Sequence, residues 1–177
     1  RPKVVQYTFP EEKVIWNRFQ VEPVDPKKLK ALWAIDSSES VRNDAFYHTE
    51  LRRVVNEYYK QGDELYLWDN KVRPLCSKQE LDSFISNMNG YTGTKSSKIA
   101  EIAQRSSIRE HLIIVTDGTV DNGEIDLSDE LMAKNNIRFK FVTTFIILDA
   151  NPPDLLEIKR QYPNADIESM KLKCDLS

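Results

Sequence analysis

Asp36-Ser37-Ser38-Glu39-Ser40 follows directly on the largely apolar stretch Leu29–Ile35. One carboxylate and two hydroxyls therefore stand at alternate positions where a strand should end, a set of hard oxygen donors suited to a divalent cation. A second strand-like run, His111–Thr116, ends in Asp117-Gly118. Between the two lies a Gly/Thr/Ser loop, Gly90-Tyr91-Thr92-Gly93-Thr94-Lys95-Ser96-Ser97. Three separated segments thus offer oxygen ligands, and the fold has to bring them together.

The elements that would do so can be read from periodicity. Leu29–Ile35 and His111–Thr116 have the continuous apolar character of strands buried on both faces. From Val41 to Tyr59, the residues Tyr47, Leu51, Val54, Val55 and Tyr58 recur at three- and four-residue steps, which predicts an amphipathic helix closed near Gly62. Glu64–Trp68 reads as a strand and Asp69-Asn70 as a turn. Lys71–Cys76 reads as a short antiparallel edge strand, where Pro74 needs no ladder N–H. Ser77 with Glu80 forms a capping-box pattern for a helix reaching about Met88. A second helical stretch runs from Ser96 to about Gln104. An acidic loop is expected over Asp117–Asp126, then a helix from Ser128 to about Asn135 with Asn136 as its C-terminal signal. Arg138–Leu148 is the last clear strand. Pro152 and Pro153 open a further helix to Gln161, and Ser169–Lys173 is a candidate final strand.

Strands alternating with helices predict an α/β domain with a doubly wound, mostly parallel sheet, helices on both faces and a short antiparallel edge. In such sheets ligands collect at the carboxyl ends of the strands, where strand order reverses. Asp36 and Asp117 both fall there. Residues 1–28 break the alternation with Tyr7, Phe9, Trp16, Phe19 and the prolines Pro10, Pro23 and Pro26, so they read as a lead-in segment or an added strand before a domain over 29–177.

Taken together, Asp36, Ser38 and Ser40, a loop threonine and a strand-terminal aspartate in this chain order resemble the metal-ion-dependent adhesion site of the von Willebrand factor A family. The resemblance covers about residues 29–150. It implies metal ligation by Asp36, Ser38, Ser40, Thr94 and Asp117. Thr94 is chosen over Thr92 because a glycine precedes it and a helix follows, although the family's usual Gly-Gly-Thr order is absent and either threonine could serve. The resemblance further implies Mg2+ or Mn2+ as the ion and a protein partner whose Asp or Glu completes the coordination, with no catalysis. Glu39, Thr92 and Asp121 would stand at the rim, where Trp68 and Asp69 are further candidates; the plain alternatives are a solvated acidic loop and aromatic packing of Trp68. For Ser40 the plain alternative is a helix N-cap.

Two other functions compete with this reading. A Mg-dependent phosphohydrolase could use Asp36 as nucleophile, but the second carboxylate expected two residues later is Ser38. A structural scaffold within a larger assembly would need no intact ligands. Ser-His-Asp catalysis is disfavoured because His48 and His111, the two histidines, belong to a helix and to the start of a strand, where they read as surface or boundary residues. A net charge of −3, with lysines and arginines interspersed among carboxylates, leaves no basic stripe for nucleic acid. The longest apolar runs fall well short of the ~20 residues of a membrane span. The chain of 177 residues is long enough for one substantial core. It opens on Arg1, as an excised domain would. Cys76 and Cys174 have no metal-type spacing and read as free, buried or half-buried thiols. With no Asn-x-Ser/Thr acceptor, they lean the location towards the cytoplasm.

Overall fold

The computed structural model describes residues 3–10, 29–86, 98–117 and 122–148. In chain order these form β1 (Lys3–Pro10), β2 (Ala31–Asp36), α1 (Ala45–Tyr58), β3 (Glu64–Trp68), β4 (Val72–Leu75), α2 (Lys78–Ser86), α3 (Lys98–Arg105), β5 (His111–Thr116), α4 (Asn122–Lys134) and β6 (Phe141–Leu148). The strands make one six-stranded sheet in the order β1-β6-β5-β2-β3-β4. β6, β5, β2 and β3 run parallel, while β1 and β4 close the two edges antiparallel. This is the expected doubly wound sheet with a second antiparallel edge, because residues 3–10 pair along β6.

Every residue of β2 and of β5 is buried, as strands covered on both faces must be. Their side chains divide by parity. Leu32 and Ala34 of β2, with Leu112 and Ile114 of β5, pack against Ile99, Ile102 and Ala103 of α3 and Met132 of α4. Trp33, Ile35, Ile113 and Val115 point the other way, onto Tyr47, Leu51, Val54 and Val55 of α1 and Leu81 and Ile85 of α2. Each large side chain buried in this way contributes about 1.5–3 kcal/mol. Two layers of helix are therefore held to the central strands by alternate residues of the same short sequences.

Local signals explain most boundaries. The Ser77 hydroxyl accepts from the Glu80 N–H at 3.1 Å, and the Glu80 carboxylate reaches back to the Cys76 N–H at 2.8 Å. Asn136 ends α4 in the left-handed region at φ 55°, as its position at the helix end predicts. Two expectations fail here. α4 begins at Asn122, six residues before Ser128, so Glu124 and Asp126 belong to a helix and not to an acidic loop. Carboxylates suit the opening turns of a helix as well as they suit a loop, and composition did not separate the two. Cys76 is exposed, contrary to the expected burial, because it lies just past the edge strand. The helix from Pro152 to Gln161 and the strand over Ser169–Lys173 expected from sequence lie outside the described residues, as does Cys174. Among the described residues, no helix is long and apolar enough to cross a membrane.

At the amino end of the parallel strands a polar knot fastens the sheet. Asp63 accepts from the Ala31 N–H (2.9 Å), the Trp33 indole N–H (3.1 Å), the Lys60 N–H (3.2 Å) and the Lys60 ammonium (2.9 Å). His111, opposite Ala31 in the register, is fully buried and shares a 2.7 Å hydrogen bond with the Thr143 hydroxyl, so it is no surface residue. Burial, reinforced by the Lys60 charge, pushes its pKa down to about 3, which keeps the ring neutral. Removing Asp63 strands donors on β2 and on Lys60, just past the end of α1. Asp63→Ala should cost on the order of 3 kcal/mol, read as a shift in the urea midpoint with an unchanged slope.

Candidate metal centre

β2 and β5 lie side by side with β3 on the far side of β2, so chain order reverses at the β2/β5 pair. Asp36 ends β2 and Asp117 directly follows β5. The two aspartates thus meet at the switch point, where a doubly wound sheet opens a crevice.

Asp36 has no exposed surface. Its Oδ1 accepts from the Ser38 N–H at 2.9 Å, and its Oδ2 accepts from the Thr116 hydroxyl at 2.7 Å. Burial pushes this carboxyl up to about 7, and the negative charge of Asp117 adds to the shift, against the hydrogen bonds from Ser38 and Thr116 that favour the ionised form. No lysine or arginine among the described residues forms an ion pair with it. The Ser38 and Ser40 hydroxyls stand 3.1 Å apart, Ser38 buried and Ser40 exposed on the short 3-10 turn Glu39–Val41.

This chain segment has the wrong shape for the N-cap role that Ser40 could have played. α1 starts later, and its cap is Asp44, whose carboxylate accepts from the Tyr47 N–H at 2.9 Å. Ser37 fills the intervening position and ties the loop down, since its N–H and its hydroxyl both donate to the Trp68 carbonyl at 2.9 Å. Tyr47, fully buried, donates its phenol to the Asp36 carbonyl at 2.7 Å, with the Val115 carbonyl at 3.4 Å. Burial and the surrounding carboxylates raise that phenol well above its usual range, so it remains a donor. His48 braces the same turn through a ring nitrogen 2.8 Å from the Val41 carbonyl.

The sequence-predicted residues therefore sort as follows. Asp36, Ser38, Ser40 and Asp117 are described and belong to two adjoining strand ends; Glu39 is exposed beside them. Thr92, Thr94 and Asp121 lie outside the described residues. Trp68 and Asp69 are fully buried and form no rim: Trp68 packs in the core, and Asp69 accepts from the Lys71 N–H at 2.8 Å with the Arg73 guanidinium 3.7 Å away. Ser37, Thr116 and Tyr47 were not singled out by sequence reasoning. Thr116 and Tyr47 sat within apolar patterns that accounted for them as strand and core.

Among the described residues, no three of His, Cys, Asp and Glu cluster as a metal site. A centre built from two aspartates and several hydroxyls would not form such a cluster. The donor set fits a hard cation nonetheless. A buried carboxylate repelled by a second one, with neutral hydroxyls beside it, lacks the positive charge that Mg2+ or Mn2+ would supply.

No family profile matches the chain, and no curated protein sequence does. Among solved structures, the chain is similar to the manganese-loaded TRAP protein of Plasmodium vivax, with a TM-score of 0.51 and 14% identity over 92% of this chain and 68% of that one. It is also similar to a serine-substituted aerotolerance-related membrane protein of Bacteroides fragilis, with a TM-score of 0.45 and 10% identity over 82% of this chain and 98% of that one. The first of these likenesses supports a von Willebrand factor A-like α/β fold.

The titrations of Asp36 and His111 oppose each other. Asp36 holds its proton to about 7 when folded against 3.8 as a model group, so the metal-free fold gains stability as pH falls through that window. His111 takes a proton only near 3 when folded against 6.5 otherwise, so stability is lost as pH falls below 6.5. The two contributions should nearly cancel between pH 4 and 6.5. Asp36→Asn should expose a loss towards acid of about 1 kcal/mol per pH unit, and His111→Gln a gain of about the same size. Urea melts of the metal-free variants across that range measure both slopes, which must carry opposite signs.

Proposed function

We propose that this chain is a metal-dependent protein-binding module of von Willebrand factor A type, engaging an acidic residue of its partner through Mg2+ or Mn2+. The observation that carries the reading is the meeting of Asp36, the Ser38/Ser40 hydroxyl pair and Asp117 at the switch point of the sheet. Ser38, Ser40 and Thr94 would hold the ion, with Asp36 and Asp117 supplying charge behind them. Neutral hydroxyl ligands leave the ion electrophilic, so an incoming carboxylate gains more than it would at a centre already saturated with acids. Glu39, Thr92 and Asp121 would border the approach. The manganese carried by the Plasmodium vivax TRAP protein supports the choice of ion at the level of likeness in fold.

The same geometry disfavours a phosphohydrolase. A nucleophilic aspartate must present a free oxygen in line with phosphorus, whereas Asp36 is fully buried with both oxygens accepting hydrogen bonds.

Calorimetric titration with MnCl2 and MgCl2 tests the site. The wild type should bind either ion, and Asp36→Ala or Ser38→Ala should weaken binding by about 10- to 100-fold or more. Thr94→Ala should do the same while Thr92→Ala does not; the reverse result would move the loop ligand by two residues. Acetate, as a carboxylate mimic, should alter the electron paramagnetic resonance spectrum of the Mn2+-loaded protein where acetamide does not. Hydrolysis of p-nitrophenyl phosphate that is lost in Asp36→Asn would replace the binding-module reading with the enzymatic one.

A further inference from the structure

Two of the segments that carry proposed site residues share no sequence neighbourhood: Asp36–Ser40 at the end of β2, and Asp117 just after β5. Something has to set the gap between them. The β2/β5 ladder is paired from Ala31 with His111 to Ile35 with Val115, and Asp36 and Asp117 lie beyond its last pair. Past this point β2 and β5 no longer pair with each other, while Asp36 stays in register with Trp68 of β3 and Thr116 with Ile146 of β6.

One side chain reaches both strands there. The Tyr47 phenol oxygen is 2.7 Å from the Asp36 carbonyl and 3.4 Å from the Val115 carbonyl, contacts made across 11 and 68 residues of chain. Both oxygens are acceptors; the single phenol proton is directed at the nearer Asp36 carbonyl, and the Val115 carbonyl is the longer, weaker contact. The ring itself has no freedom to drift. It is fully buried, and Asp44 caps the first turn of α1 on the Tyr47 N–H. The Thr116 hydroxyl spans the same gap on the side-chain level by donating to Asp36 Oδ2.

Resting on the metal-site reading above, we propose that Tyr47 is a positioning residue for the cation: its phenol, set between the Asp36 and Val115 carbonyls, clamps the Asp36–Ser40 loop to the Asp117 loop and so sets the affinity of the site. Tyr47→Phe keeps the ring and deletes the clamp. The two carbonyls then face each other with the donor between them removed, and the loops are free to part.

The experiment pairs a metal-free readout with a metal readout. Hydrogen exchange on metal-free Tyr47→Phe should show about 10-fold faster exchange confined to residues 37–41 and 116–117, with Leu32–Ile35 and Leu112–Ile114 as protected as in the wild type. Mn2+ titration should give about 10-fold weaker binding and a broadened electron paramagnetic resonance spectrum. Val54→Ala, a core truncation on the same helix that faces the same layer, should lower the melting temperature at least as much yet leave Mn2+ affinity unchanged. Unchanged exchange at 37–41 and 116–117 would overturn the clamp. So would losses of affinity in Tyr47→Phe and Val54→Ala that simply track lost stability. A wild type that binds neither ion would instead overturn the metal-site reading and with it the role in affinity, and the exchange data would still decide whether the phenol holds the loops.

Discussion

A carboxyl group fully buried at the end of a central strand is the constraint from which the rest of this architecture follows. Asp36 sits where two fully buried strands run out, and its hydrogen bonds come from the backbone of its own loop and from the neighbouring strand. Burying such a group without a counter-charge is costly, which is why its proton is retained to about 7. Ser37, Tyr47 and Thr116 all serve that group. They tie the Asp36 segment to β3, to α1 and to β5, respectively.

The opposite end of the sheet solves a different problem with similar parts. Asp63 gathers four donors from β2 and from the turn before β3, so its charge is spent on fastening. The Asp36 carboxyl is hydrogen-bonded by Ser38 and Thr116 and faces a like-charged neighbour. The contrast separates a carboxylate that completes the structure from one that keeps unmet demand for positive charge, and unmet demand is what a ligand site requires.

Much of this was legible in sequence because it depends on neighbours along the chain. Continuous apolar runs defined β2 and β5, the Ser77/Glu80 pair defined the start of α2, and Asn136 marked the end of α4. The alternation of elements implied that Asp36 and Asp117 would converge, since in a doubly wound sheet all parallel strands end on one side. What stayed hidden depends on contacts across the fold. Tyr47 reads as one more apolar position of an amphipathic helix, and only the packed structure shows its oxygen between two strands. His111 looked like a boundary residue because it opens a strand; its burial comes from flanking β2 and β6 together with the pairing to Thr143. The start of α4 was missed because acidic residues are at home both in loops and in early helical turns.

The antiparallel seam between β1 and β6 joins Lys3 to Leu148 and Pro10 to Phe141, nearly the whole described length of the chain. Contacts of such separation close the largest loop among the described strands, at an entropic cost that grows only slowly with length. Without β1, β6 would be the sheet's edge, a ribbon rich in Phe, Val and Ile of the kind on which chains stick to one another. Residues 3–10 thus act as a guard strip for the sheet, and a fragment trimmed of them would keep the β2/β5 strand ends while gaining a tendency to aggregate.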